Sequence, residues 1–180
     1  MKEVTTIAID LAKSVFEVGI SERAGHLKQT HRLSRQQLTE FMAKQPRSTV
    51  IMEACGSSHY WGRKFQQSGH NVKLLPPLAV RPYVQRSKTD RTDVKGMLEA
   101  ARNTAIKPVP VKTESQQQLT ALHRVRAGWM STRTMRINAL RGLLREFGIV
   151  FPVGTKALFS RVKETIEDAD AAIPMGVRDA

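Results

Sequence analysis

Three short apolar runs set what this chain can fold into. They are residues 4–10 (VTTIAID), 48–52 (STVIM) and 71–75 (NVKLL), each reading as a buried strand. Two further strands, 15–20 (VFEVGI) and 26–33 (HLKQTHRL), follow the first after short connections, with a turn at Ala24-Gly25. These three form an antiparallel meander. Residues 34–45 (SRQQLTEFMAKQ) read as a helix: Ser34 can cap it, and Leu38, Phe41 and Met42 give it an apolar stripe. Residues 58–68 read as a second helix closed by Gly69, and Pro76-Pro77 stops the fifth strand. The late strand–helix–strand units cross over right-handedly and imply parallel pairing. The expected fold is α/β, a mixed five-stranded sheet with helices on its faces.

A helix is expected from DRTDVKGMLEAAR at 90–102. The PxP arrangement in 104–113 (TAIKPVPVKT) marks a boundary, giving a domain at 1–108 and a helical segment at 109–180. Within that segment, 114–147 places Leu119, Leu122, Val125, Trp129, Leu140, Leu143, Leu144 and Phe147 mostly at three- and four-residue steps. A long amphipathic helix fits, open either to self-association or to core packing. Another helix is expected near 155–170, and 171–180 reads as frayed.

Charge gives the first functional clue. The chain carries 29 Lys and Arg against 16 Asp and Glu, a net +13. Residues 61–150 hold 17 of the basic and 5 of the acidic residues, so nearly all of the excess lies in one contiguous stretch. That distribution points to a polyanionic partner, nucleic acid. Aromatic residues are only 6%, too few for a broad base-stacking platform. A single cysteine, Cys55, forbids an internal disulfide. The N-terminal MKEVTTIAID shows neither signal peptide nor membrane span, so the expectation is the bacterial cytoplasm, with no membrane partner.

The acids could carry chemistry. Asp10 ends the first strand and Glu53 follows the fourth, and in open α/β sheets sites form where strands end. Either can also simply open a loop. Asp90 and Asp93 are three apart at a helix start, which puts both carboxylates on one face. Asp90 is equally a good N-cap, and an acid in the first turn suits the helix dipole. Together the four would suit two divalent ions, since hard ions such as Mg²⁺ prefer carboxylate oxygens. Lys88 and Arg91 flank the pair and could hold a phosphate backbone. Arg124, Arg126, Arg133, Arg136, Arg141 and Arg145 on the long helix are expected to contact phosphates of RNA or DNA; the alternative is a solvated charged face.

Other residues say less. Cys55 and His59 alone do not make a zinc site; Cys55 reads as a small buried residue and Trp61 as core. Gly56, Ser57 and Ser58 could approach a phosphate at a helix N-terminus, in a motif too short to be specific. DLAKS lacks the glycines of a phosphate loop.

AIDLAKSVFEVGI, MEACGSSHYWGRKF, GHNVKLLPP and KTDRTDVKGMLEAA, in this order, resemble the DEDD transposases of bacterial insertion sequences. QQQLTALHRVRAGWMSTRTMRINALRGLLREFG is similar to that family's helical segment. The resemblance covers about residues 4–154. It implies a Holliday-junction-resolvase-like RNase H fold and four acids at Asp10, Glu53, Asp90 and Asp93 holding Mg²⁺, with Mn²⁺ as a substitute. It also implies a homo-oligomer (dimer or tetramer) joined through the helical segment, and a structured guide RNA that directs the enzyme to its DNA. Family members are longer, with a C-terminal domain whose serine attacks DNA. The chain stops at Ala180, so a product truncated before that domain is expected, and Ser57, Ser58, Ser131 and Ser160 are not promoted in its place. Two other functions stay open at this point: a Holliday-junction-type nuclease, and a non-catalytic nucleic-acid-binding module.

Overall fold

The first apolar run becomes the middle of the sheet. In a computed structural model, which describes residues 5–22, 26–84, 90–168, 171 and 173–178, it forms β1 (Thr6–Asp10). β2 (Val15–Ser21) and β3 (Gln29–Ser34) continue as the antiparallel meander; the turn expected at 24–25 lies outside the described residues. β4 (Thr49–Glu53) pairs parallel with β1, and β5 (Asn71–Leu75) pairs parallel with β4. The strand order is β3-β2-β1-β4-β5. This is the mixed five-stranded sheet expected from the sequence.

Helices cover both faces. α1 (Arg35–Ala43) starts at Ser34, whose hydroxyl accepts from Gln37 N while the Gln37 side chain accepts from Ser34 N. That reciprocal cap satisfies two donors that a bare helix end leaves unpaired. α2 (Ser58–Gln67) follows β4. On the face under α1 and α2, Ile7, Ile9, Phe16, Val18, Val50, Met52 and Leu74 pack with Leu38, Met42, Trp61 and Phe65. Beyond β5 come a short α3 (Pro77–Val80), a 3-10 turn at Arg81–Tyr83, and α4 (Asp90–Ala100). α4 covers the other face: Ala8, Ile51 and Leu75 pack with Val80, Val94, Met97, Leu98 and Ala100. β1 and β4 are thus buried on both sides, which is why their sequences read as unbroken apolar runs.

Contacts divide the chain into two compact units, Met1–Gln117 and Gln118–Ala180. Residues 109–112 pack with the first: Val109 N donates to Leu74 O at 2.7 Å, and Arg63 donates to Lys112 O at 2.9 Å. The long helix is α5 (Glu114–Glu146), and α6 (Thr155–Glu167) follows a turn. In the second unit Ile137, Leu144, Leu158 and Ile173 are buried. The tail expected to fray instead carries a short helix, α7 (Met175–Arg178), just after buried Ile173. Among the described residues no helix is long and apolar enough to cross a membrane.

Candidate active site

Sheet register brings the first two acids together. Ile9 pairs with Met52 in the parallel β1–β4 ladder, so the next residues, Asp10 and Glu53, end neighbouring strands, which lie about 4.8 Å apart. Side chains alternate along a strand. Ile9 and Met52 enter the core under α1 and α2, while Ala8 and Ile51 enter the core under α4. Asp10 and Glu53 therefore project on the α4 side.

α4 delivers the third acid. Its Val94 reaches Gly19, the cross-strand partner of Ala8. Its far end, at Leu98, Ala101 and Arg102, lies by Thr6, Ser21 and Thr49 at the beginning of β1 and β4. The helix thus runs antiparallel to β1, and its first turn sits where the strands end in acid. Asp93, one residue before Val94, is half-buried there.

Electrostatics register the crowding. The Glu53 carboxyl is held above its ordinary value of 4.5, first by burial, then by the negative charge of Asp10 and of Asp93. Each of these influences raises it. Two of the other expected acids, Asp10 and Asp93, are therefore within electrostatic reach of Glu53. Asp90 opens α4, one turn ahead of Val94, but its side chain and that of Arg91 lie outside the described residues, as does Lys88 altogether. A fifth acid was not singled out in the sequence: Glu17, the cross-strand partner of Asp10, which shares its face of the sheet. It sits mid-strand, where no end-of-strand signal marks it.

A carboxylate-only donor set suits a hard divalent ion. Among the described residues, no three His, Cys, Asp or Glu side chains are gathered closely enough to hold one as they stand. The donor chemistry fits Mg²⁺, and binding would require the carboxylates to draw in.

Nearby residues take other roles. Cys55 is exposed, not buried as its size suggested, because it lies in the turn after β4 rather than in the strand. Its thiol is nonetheless pushed up, first by desolvation among its neighbours and also by Glu53 and Asp10. The thiol is therefore a weak nucleophile despite its exposure. His59 Nδ1 accepts from Lys112 N at 3.1 Å, so it fastens the 109–112 segment rather than a metal. Trp61 is core, stacked on Phe65 with ring centroids 5.5 Å apart. The Ser58 hydroxyl donates to Cys55 O at 2.8 Å.

Beside the acids, at the same strand ends, lies an open cavity of about 500 Å³ lined by Lys13, Arg35, Cys55, Gly56 and Ser57 among others. No local pattern singles out its two cations. Lys13 follows an acid-ended strand by three residues, which is the one signal that could have found it. Arg35 opens α1, and only the fold brings it here.

On the second unit, Arg124, Arg126, Arg133, Arg136 and Arg145 are exposed. Arg133 and Arg136 line a groove of about 320 Å³ with Trp129, Ile137 and Phe159. Arg141 differs from the rest. It is half-buried, and its Nη2 donates to the carbonyls of Pro152 at 3.0 Å and Gly154 at 2.7 Å. It clamps the α5–α6 turn instead of facing solvent.

Comparison with known proteins shows which family the chain resembles. A family model described as Transposase, for DEDD transposases of the IS110 type, matches residues 7–149. A probable family 20 transposase of Pseudomonas aeruginosa is 40% identical over 173 residues, covering 94% of this chain and 51% of its own length. The transposase of insertion sequence element IS1328 from Yersinia enterocolitica is 40% identical over 154 residues, covering 86% and 46%. The transposase of IS1111A from Coxiella burnetii is 35% identical over 162 residues, covering 90% and 44%. The chain spans about half the length of the curated relatives it matches. Among solved structures, T. thermophilus RuvC in complex with Holliday junction substrate aligns with a TM-score of 0.42 at 10% identity, over 59% of this chain and 99% of that one.

Proposed function

The chain belongs to the DEDD transposase family, and from that premise we propose that it carries the carboxylate half of an insertion-sequence transposase that cuts and exchanges DNA strands. The observation that carries the proposal is Glu53, crowded by Asp10 and Asp93 where two parallel strands end and α4 begins. A cluster of carboxylates that repel one another is a poor structural device and a good cation trap. Asp10, Glu53, Asp93 and, by the family pattern, Asp90 would hold Mg²⁺ or Mn²⁺. When bound there, divalent ions supply activation of a nucleophile and charge neutralisation at the leaving oxygen. The protein's own part is to bring the acids to one end of β1, β4 and α4, from which they can close on the ion.

The second unit supplies nucleic-acid contacts in this reading. Arg124, Arg126, Arg133, Arg136 and Arg145 are exposed, and among the described residues none is paired with a carboxylate. They suit the phosphates of DNA and of a structured guide RNA; Arg141 is left out because backbone carbonyls hold it. Leu119, Leu122, Val125, Trp129 and Met135 of α5 are each more than half exposed, an apolar stripe suited to joining copies of the chain. The assignment of binding and assembly to the helical segment beyond Gln117 is part of the same proposal, as is action in the bacterial cytoplasm.

The test is Mn²⁺ binding by this chain and metal-dependent DNA cleavage by the full-length transposase, each as wild type and as Asp10→Asn, Glu53→Gln, Asp90→Asn and Asp93→Asn. Each substitution is expected to weaken metal binding at least tenfold and to abolish cleavage. Metal binding and cleavage that survive in all four variants would sink the assignment. Salt-sensitive but metal-indifferent DNA binding with no cleavage would leave a non-catalytic binding module.

A further inference from the structure

We propose that the cavity beside the carboxylates is a subsite for a backbone phosphate of the bound nucleic-acid strand, with Lys13 and Arg35 as its cationic contacts. The idea rests on the reading of the chain as a nucleic-acid enzyme and adds to it a place where the strand is gripped.

The cavity, about 500 Å³, is within the roughly 300–1,000 Å³ usual for ligand sites. Its position is set by the fold. Leu11, Ala12 and Lys13 leave β1, and Cys55, Gly56 and Ser57 leave β4, so the cavity begins where Asp10 and Glu53 stop. The acids project on the α4 side, whereas Arg35 belongs to α1, on the opposite face of the sheet. A strand laid across these ends meets carboxylates first and cations next. The scissile group would lie at the acids and a neighbouring phosphate in the cavity.

The two cations are also uncommitted. Among the described residues neither Lys13 nor Arg35 has a carboxylate partner, although acids crowd the adjoining strand ends. Arg35 lies over two aromatic rings, its guanidinium 5.2 Å from the Trp61 ring centroid and 5.8 Å from that of Phe16. A guanidinium ordered by stacking keeps its N–H edge for bidentate contact with a phosphate, and less rotamer entropy is lost on binding. Ala12, Gly56 and Ser57, small residues that complete the lining with Leu11 and Cys55, let a sugar-phosphate backbone approach.

The experiment measures binding of a fluorescent DNA oligonucleotide by anisotropy, in EDTA, from 50 to 200 mM salt. EDTA separates the subsite from the metal chemistry. Lys13→Ala and Arg35→Ala should each weaken binding severalfold and reduce the salt slope by about 0.7–0.9, one phosphate contact each. Arg35→Lys should keep the slope; because it retains the charge, it also guards against unfolding of the Trp61 stack in the alanine variant. Lys44→Ala, an exposed cation at the far end of α1, should leave the slope unchanged. The proposal is overturned if Lys13→Ala and Arg35→Ala behave like Lys44→Ala. It is likewise overturned if inorganic phosphate stabilises the wild type but not Lys13→Ala while the oligonucleotide slopes stay equal, since the cavity would then take only a free anion. In either case the transposase reading stands if the acid variants still abolish metal-dependent cleavage. A wild type without salt-dependent binding would overturn both.

Discussion

Adding one methyl group at Gly19 should disturb the site without touching any acid. Gly19 faces Ala8 across β1 and β2, and the two small residues let α4 lie close on the sheet. A Cβ at position 19 would overlap Val94 Cγ1 and lie 2.6 Å from Leu27 Cδ1. Leu27 can swing aside. Val94 cannot easily, because Val94, Met97, Leu98 and Ala100 are all at most 2% exposed and fix the helix from below. Overpacking of this kind costs roughly 1–3 kcal/mol. At about 4 °C per kcal/mol for a unit of this size, the first unit should lose about 4–12 °C in Tm. The same displacement carries Asp93 away from Glu53, so metal affinity should fall as well. Urea unfolding followed by tryptophan fluorescence in a Trp129→Phe background isolates the first unit, since the chain has only two tryptophans. Val94→Ala alone should also destabilise, by about 2 kcal/mol for the cavity. Combined with Gly19→Ala, it makes room for the new methyl, so the double variant should be more stable than the sum of the singles by at least about 0.5 kcal/mol. A Gly19→Ala chain that unfolds at the wild-type urea concentration, or strict additivity in the double variant, would refute the close-packing argument.

Two further outcomes follow from the core and the acids. Glu53 binds its proton more tightly in the folded chain than in the unfolded one, so ionising it opposes folding. The advantage of the protonated form is complete below the ordinary value of 4.5 and is lost as pH rises through the raised one; Glu53→Gln should therefore have a higher Tm than wild type at pH 8 and converge with it below pH 4.5, and a Tm difference that stays flat across that range would contradict the crowding. His70, 5% exposed, joins three elements: its Nδ1 accepts from Ser48 N at 3.3 Å, leaving Nε2 to carry the proton and donate to Met42 O at 3.2 Å. His70→Leu strands a buried Ser48 N–H and should cost about 1–3 kcal/mol in urea unfolding, and a loss under about 0.5 kcal/mol would count against that bridge.

What could be read from the sequence divides along a physical line. Strands buried on both faces have no polar face to hide, so β1 and β4 stand out as apolar runs. Ser34 announces the start of α1 because a side-chain cap is a local device, complete within four residues. Residue identity likewise marked each acid singly. What no local pattern could supply was direction. Whether Asp10 faces Glu53 depends on the β1–β4 register, and a slip of one residue would turn one of them to the opposite face. Whether Asp93 joins them depends on α4 running antiparallel to β1, which is settled by Val94 finding the gap at Gly19, 75 positions earlier. Cys55, Lys13 and Arg35 were misjudged or missed for the same reason: each lies in a turn or opens an element, where surroundings come from segments far off in the chain. Arg141 lies inside α5, and the carbonyls that hold it come from the turn that follows the helix. The acids were legible because strand ends are visible in sequence. The cations opposite them were not, because the cavity they share exists only once α1 and the β1 and β4 ends are folded together.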